Sequence, residues 1–164
     1  MPRIFLIFAF ALASILPGYA QAQNAQFTFG SGSQDGDLPV EVTADNLSID
    51  QNNNTAVFSG NVLVGQGEMK LTAQRVLVNY KEDQSGIESL EATGGVTLVS
   101  GPDAAESNVA SYIIDSGLIE MNGDVLLVQG STTLAAQKMV VNTQSGTAEM
   151  SGRVKTVLKP QGEN

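Results

Sequence analysis

The 164-residue chain contains no cysteine, no histidine and no tryptophan, and it has 8 basic residues against 17 acidic ones. Without cysteine it has no disulfide, no thiolate metal site and no thiol nucleophile. Without histidine it lacks the general base of a Ser-His-Asp triad and the commonest zinc ligand. The net charge of −9 argues against nucleic acid, because binding there depends on cations that neutralise phosphates. What remains is a small acidic protein, 42% hydrophobic, that can build one core.

The first 22 residues have the three parts of a secretory signal peptide. Arg3 is followed by the uncharged apolar run 4–16 and then by an A-x-A cleavage site at Ala20 to Ala22. The alternative is a membrane anchor, but a helix of this run spans only about 20 Å of a roughly 30 Å hydrocarbon core. We expect cleavage after Ala20 or Ala22 and export to a bacterial periplasm.

Three further segments follow from composition. Residues 23–38 are rich in Gln, Gly, Ser and Asp, which predicts a flexible N-terminal segment. Phe27 and Phe29 are its apolar exceptions and could form a short edge strand. Residues 39–160 form the predicted folded domain, and residues 161–164 a short C-terminal tail.

A G-x-V unit occurs four times in this domain, at Gly60, Gly94, Gly123 and Gly152. Apolar residues stand at even offsets on both sides of each glycine, and even offsets share one face of a strand. Each unit therefore predicts a long strand with an apolar face. The glycine in its middle marks a bend or a close backbone approach.

A second unit precedes each of these and begins at Ala44, Ala73, Ala110 or Ala136. Its apolar positions are −2, 0, +3 and +5, so the alternation slips by one residue at the same place each time. Such a slip needs a bulge or corner to keep the apolar set on one side. Polar turns connect the two units, and the result is an all-β fold of four strand–turn–strand repeats around a shared interior. The third copy is the weakest.

Several polar groups could carry chemistry. The turn 50–54 begins like a calcium loop, but Thr55 and Asn61 stand where glycine and glutamate are needed, which favours a polar turn. The acidic pairs Glu88/Glu91 and Glu82/Asp83 could serve a sugar-cleaving enzyme, yet they lie in or beside turns without an aromatic platform. We predict no catalytic or metal-ligating residue and no cofactor.

Specific segments resemble a known family. The chain reads V-T-A-D-N-L-S-I-D, a polar turn, A-V-F-S-G-N-V-L-V-G-Q-G, then K-L-T-A-Q-R-V-L-V-N-Y. These segments resemble the OstA-like family of lipopolysaccharide-transport proteins. The resemblance implies an open β-jelly roll of stacked antiparallel strands whose hydrophobic groove shelters lipopolysaccharide acyl chains. It also implies an inner-membrane-anchored (LptC-like) partner, an outer-membrane (LptD-like) translocon, and copies joined head to tail.

The predicted groove lining consists of the large apolar residues in the repeated columns. They are Val42, Leu47, Ile49, Phe58, Val62, Val64, Leu71, Val76, Val96, Leu98, Ile113, Met121, Val125, Leu127, Met139, Met150 and Val154. The alternative is a secreted structural or adhesive β-repeat protein with no ligand. A carrier needs these columns to stay accessible, whereas the structural alternative needs them fully packed.

Two further expectations concern the surface. The segments 40–44 and 150–158 are the first and last strong strands, so we expect both to be open edges that could pair with another molecule. The few cations near the motifs could touch lipid phosphates at the groove mouth or serve only solubility. They are Arg75, Lys138, Arg153 and Lys155.

Overall fold

The computed structural model describes residues 25–30 and 38–158 of the chain, and these form strands and turns without a helix. The predicted signal peptide and C-terminal tail lie outside the described residues. In the described part there is accordingly no helix of the length and apolarity that crossing a bilayer requires. The strands are β1 Ala25–Thr28, β2 Glu41–Thr43, β3 Asn46–Asp50, β4 Thr55–Gln66, β5 Met69–Tyr80, β6 Ile87–Ser100, β7 Asp103–Ile113, β8 Leu118–Gln129, β9 Thr132–Asn142, β10 Thr147–Ser151 and β11 Lys155–Leu158.

All strands belong to one antiparallel sheet with the order β1-β10-β9-β8-β7-β6-β5-β4-β2. From β4 to β10 each strand pairs with the next one along the chain, as strands joined by hairpin turns do. β3 pairs with residues 55–59 of β4, whereas β2 pairs with residues 63–65 of the same strand. In the same way β11 pairs with residues 132–135 of β9, whereas β10 pairs with residues 138–142. The predicted all-β repeat is therefore confirmed.

The long strands bend in the middle, where the prediction placed the corners. Between β4 and β5 the register shifts after Ser59/Arg75, and matching shifts recur in the next four pairs. The corners fold the sheet onto itself and divide it into two facing layers. Layer one contains β2, β11 and segments 62–66, 69–73, 96–100, 103–107, 125–129 and 132–136. Layer two contains β1, β3, β10 and segments 55–59, 75–80, 87–93, 109–113, 118–122 and 138–142.

Each corner is built on its glycine. At Gly94 φ is +89°, and a Cβ there would stand 2.7 Å from Cβ of Gln74 on the neighbouring strand. Only glycine satisfies both conditions, because L side chains avoid positive φ and a Cβ contact this short displaces backbone. The same close approach of a polar side chain recurs at every corner: Asp45 on Gly60, Gln74 on Gly94, Asn108 on Gly123 and Gln137 on Gly152.

The two ends of the sheet differ. At one end β2 and β3 have β4 as their single partner among the described strands, so the edge expected at 40–44 is confirmed. At the other end β10 is covered by β1, with Ala25 opposite Met150 and Thr28 opposite Thr147. The expectation that the whole of 150–158 is an open edge is therefore wrong for β10. Part of the segment expected to be flexible folds back 120 residues along the chain to pair there.

Candidate functional site

The interior between the layers is lined by rows of apolar side chains that run across the strands. In layer two, residues directly opposite one another connect Leu47, Phe58, Val76, Ala92, Ala110, Met121, Met139 and Met150. A second row connects Ile49, Ala56, Val78, Leu90, Tyr112, Ile119, Val141, Ala148 and Phe27. The second row crosses nine strands in eight steps of about 4.8 Å, which makes it roughly 38 Å long.

Layer one faces these rows with a third. It connects Val42, Val64, Leu71, Leu98, Ala105, Leu127, Leu134 and Thr156. Leu98 and Leu127 are fully buried, as are Met121 and Met139 on the opposite layer. The interior is therefore a continuous layer of packed apolar side chains that runs across the strands of the sheet.

This space is closed in the present structure. A cavity of about 10 Å³ lies between Val64 and Leu71 of layer one and Val76, Ala92 and Tyr112 of layer two. A cavity of roughly 10–15 Å³ is the least that holds a single water molecule. An acyl chain consequently enters only if the layers move apart.

The corners join the two layers along one side. On the opposite side the turns of layer one, such as 101–102, face the turns of layer two, such as 114–117, and we call the space between these two sets of turns the mouth. Polar contacts close it. The Tyr112 hydroxyl of layer two donates a 2.7 Å hydrogen bond to Oε1 of Gln66 in layer one, and both side chains are buried. Burial raises the pKa of Tyr112 above its ordinary value, against a smaller opposing effect of hydrogen bonds with Thr143 and Gln66. The phenol thus stays a neutral donor at physiological pH.

The structure places the predicted lining residues in three groups. Eleven are buried in the interior: Val62, Val64, Leu71, Val76, Val96, Leu98, Met121, Val125, Leu127, Met139 and Met150. Val42 and Phe58 are partly buried against this core. Leu47 and Ile49 are 53% and 65% exposed because they lie on the terminal strand β3, although they continue the interior rows. Val154 is 38% exposed in the connection between β10 and β11.

Ile113 is a correction. Its side chain is 49% exposed on the outer face, because Tyr112 beside it points inward and neighbouring strand residues alternate. The third repeat had been aligned on Ala110, whereas the structure puts Ser107 at the corner position held by Ala73 and Ala136 in other repeats. Ala110 and Tyr112 are therefore the true lining residues.

The sequence reasoning also missed a polar row at the lip of layer one. Gln66, Asp103 and Ser107 are the buried polar side chains among the described residues, and Gln66 and Asp103 lie at strand ends beside the mouth. Every buried side-chain nitrogen or oxygen in the described ranges has a hydrogen-bond partner. The polar residues Gln66, Asp103 and Gln129 at the mouth ends of three layer-one strands were the available signal, although Met69 holds the same position in β5.

The predicted cations lie away from the mouth. Arg75 and Lys138 stand beside the corners, where Arg75 is exposed and Lys138 Nζ forms a 2.7 Å ion pair with Glu120. That contact lowers the pKa of Glu120, chiefly through the hydrogen bond from Lys138. Arg153 and Lys155 are exposed at the β10–β11 corner. Their position does not support phosphate contacts at the mouth.

The remaining polar candidates show no built site. Asp50 accepts hydrogen bonds from the backbone and side chain of Asn53 and from the Asn52 backbone, and these lower its pKa. Its carboxylate therefore serves the turn. Glu88 and Glu91 are exposed. Within residues 25–30 and 38–158, no cluster of three or more metal-ligating side chains occurs.

The fold and interior define a class: an open antiparallel β-jelly roll with an apolar interior between its layers. A sequence model described as LptA/(LptD N-terminal domain) LPS transport protein matches residues 41–147. The chain belongs to this family, which is the OstA-like family that the motifs predicted.

Named relatives agree with that assignment. Lipopolysaccharide export system protein LptA of Escherichia coli (strain K12) is 26% identical over 77% of this chain and 74% of its own. Protein LptH of Pseudomonas aeruginosa is 27% identical over 67% and 66%, and an uncharacterised protein of Rhizobium meliloti is 28% identical over 91% and 86%. The crystal structure of LptH, the LptA-homologous periplasmic component of the lipopolysaccharide transport device, has the same fold, with a TM-score of 0.69, 22% identity, and coverage of 78% of this chain and 100% of that one.

Proposed function

We propose that this protein is a non-catalytic periplasmic carrier that holds lipopolysaccharide acyl chains between its layers and bridges the inner and outer membranes. The observation that carries the proposal is the pair of continuous, largely apolar rows in layer two, which span eight and nine strands. Membership of a lipopolysaccharide-transport family supports it. The predicted signal peptide and the periplasmic description of LptH support the location.

The physical chemistry of the rows suits a chain that must slide. Each CH₂ group exposed to water costs about 0.8 kcal/mol, so acyl chains need a continuous apolar cover. When the layers part, apolar contacts between side chains are replaced by similar apolar contacts with acyl CH₂ groups, so the free energy of contact changes little. Met121, Met139 and Met150 are neighbours in one row, and their flexible thioethers adapt to irregular contents. Many similar weak contacts allow movement along the row.

The bridging part of the proposal concerns the ends. β2 and β3 leave one edge of β-strand hydrogen-bonding groups unpaired within the described chain, beside exposed Leu47 and Ile49. A second copy, or an LptC-like or LptD-like partner, could extend the sheet and the apolar rows by adding a strand there. A head-to-tail contact of this type does not close on itself and yields linear assemblies.

The closed interior favours a second candidate, a structural protein with a filled core and no ligand. Detergent-free purification from the periplasm, a wash in 1 M salt and mass spectrometry of extracted lipid distinguish the two. The carrier predicts bound lipopolysaccharide that survives the wash, because burial of CH₂ groups is not screened by salt. Ala92→Leu, which puts a larger side chain between the layers where acyl chains would enter, should carry less lipid, and Ala104→Leu in layer one, outside the interior row, should not. Lipid-free protein from a lipopolysaccharide-containing periplasm would contradict the carrier.

A further inference from the structure

The described N-terminal residues connect the two layers at the mouth. β1 pairs with β10 in layer two, and the next residue continues the ladder because Phe29 N donates to Gly146 O at 2.9 Å. One residue later, Gly30 N donates a 2.8 Å hydrogen bond to Oδ2 of Asp103 in layer one. The chain therefore passes from one layer to the other between residues 28 and 30.

A second polar group reinforces this crossing. Gln129 Nε2, at the end of β8 in layer one, lies 2.7 Å from Thr28 O and 2.9 Å from Asp103 Oδ2 and donates to both. Asp103 is only 7% exposed, so its carboxylate is directed at the crossing and not at solvent. We call residues 25–30 the strap.

The strap fills apolar space that the rows would otherwise leave open. Phe29 is 4% exposed and belongs to the buried core, and Phe27 packs against it opposite Ala148. At the far end of the same rows Leu47 and Ile49 stay exposed, and among residues 25–30 and 38–158 no comparable segment lies over them. The strap therefore covers the rows at the β10 end, whereas at the β3 end their last side chains are exposed.

The strap has less strand pairing than the rest of the sheet. β1 has four residues and a single partner strand, whereas the central strands β4 to β9 have 11 to 14 residues and are paired on both sides. Segments with few backbone partners at a sheet edge open at the lowest free energy. Removal of the strap would leave all strand pairings within the set β2 to β11 in place.

We propose that the strap is a displaceable closure: it occupies the β10 edge and the adjoining interior in the empty protein, and acyl chains that enter the interior displace it. The proposal rests on the proposed carrier function. Displacement frees the β10 edge and exposes the ends of both layer-two rows. Loading with lipid and access to this edge are therefore coupled.

A disulfide lock tests the proposal, since the native chain has no cysteine to interfere. Gln26 and Glu149 are directly opposite on the face away from the core, at a separation that a disulfide spans. The double variant Gln26→Cys/Glu149→Cys fixes the strap when oxidised and releases it when reduced. The matched control, Glu91→Cys/Ser111→Cys, joins opposite residues of β6 and β7, which need not separate.

The measurement is binding of fluorescently labelled lipopolysaccharide by the full-length mature protein. Oxidation of the strap lock should weaken the apparent affinity by about tenfold or more, because the competent state becomes inaccessible, and reduction should restore it. The control lock should bind equally in both states. Equal binding by the oxidised and reduced strap lock would overturn the proposal while leaving the carrier function standing.

A second variant separates the two failures. Phe29→Cys places a thiol at a buried position, and Thr28→Cys places one at an exposed position as its control. Added lipopolysaccharide should speed alkylation at position 29 and leave position 28 unchanged. Binding without faster alkylation refutes the strap alone, whereas absence of binding in all variants refutes the carrier function on which it rests.

Discussion

The corner glycines allow the contribution of one close contact to be isolated. Gly94 and Gly95 are adjacent in β6 and have φ values of +89° and +84°, but a Cβ at Gly94 would meet Gln74 at 2.7 Å, whereas one at Gly95 would meet nothing within 4 Å. Gly95→Ala should therefore cost only the conformational strain, about 1–3 kcal/mol. Gly94→Ala adds a contact near the backbone of β5, worth about another 1–3 kcal/mol.

Gly65 provides the reference, because its φ is not in the positive region and a Cβ there meets open space. Gly65→Ala should change stability by less than about 1 kcal/mol and could raise it, since alanine restricts the unfolded chain. The assay is urea unfolding of the four proteins, with midpoints compared at a common slope. Equal losses for Gly94→Ala and Gly95→Ala would refute the corner packing. A loss for Gly65→Ala as large as theirs would refute the assignment to positive φ.

Three further predictions follow from the layers. Val125→Asp puts a carboxylate at a 1% exposed interior site and should unfold the protein, whereas Val128→Asp, 39% exposed in the same strand, should stay within about 0.5 kcal/mol of the parent in urea unfolding. Because the raised pKa of Tyr112 favours the neutral phenol, the stabilising effect of Tyr112 is complete below about pH 10 and declines above it. Tyr112→Phe should lose about 1 kcal/mol of stability at neutral pH and lack that part of the alkaline decline. If the variant and the parent lost stability equally with rising pH, this role of Tyr112 would be wrong. Ile49→Lys, on the open β3 edge, should reduce concentration-dependent light scattering with little change in stability, whereas Ile113→Lys, at a 49% exposed position of a central strand, should not. Equal assembly by both would exclude pairing through β3.

The strands and corners could be predicted where they repeat at regular intervals in the sequence. Alternation gave the strand faces, and the glycines and one-residue slips gave the corners, because both are periodic in sequence. The third repeat was misaligned because Ser107 stands where other repeats have alanine, and its hydroxyl is satisfied by donation to the Val109 carbonyl. Matching residue types there selected Ile113 in place of Tyr112.

Two features could not be obtained from such patterns. The pairing of β1 with β10 joins a four-residue strand to a partner more than 100 residues away, and neither segment carries a sequence pattern that indicates the other as its partner. Whether the interior is open or filled is equally hidden, because an apolar column has the same sequence in a packed core and in a groove. Burial of Leu98, Met121 and Leu127 required the coordinates.

The central claim is that lipid occupies the space between the layers. Leu127 is fully buried in the interior row, and Leu126 beside it points to the outer face of the same strand. A photo-reactive residue placed at each position in turn, and irradiated in cells that make lipopolysaccharide, tests the claim directly. We expect lipid cross-links from position 127 and none from position 126. Absence of cross-links from position 127, or equal yields from both, would contradict the account.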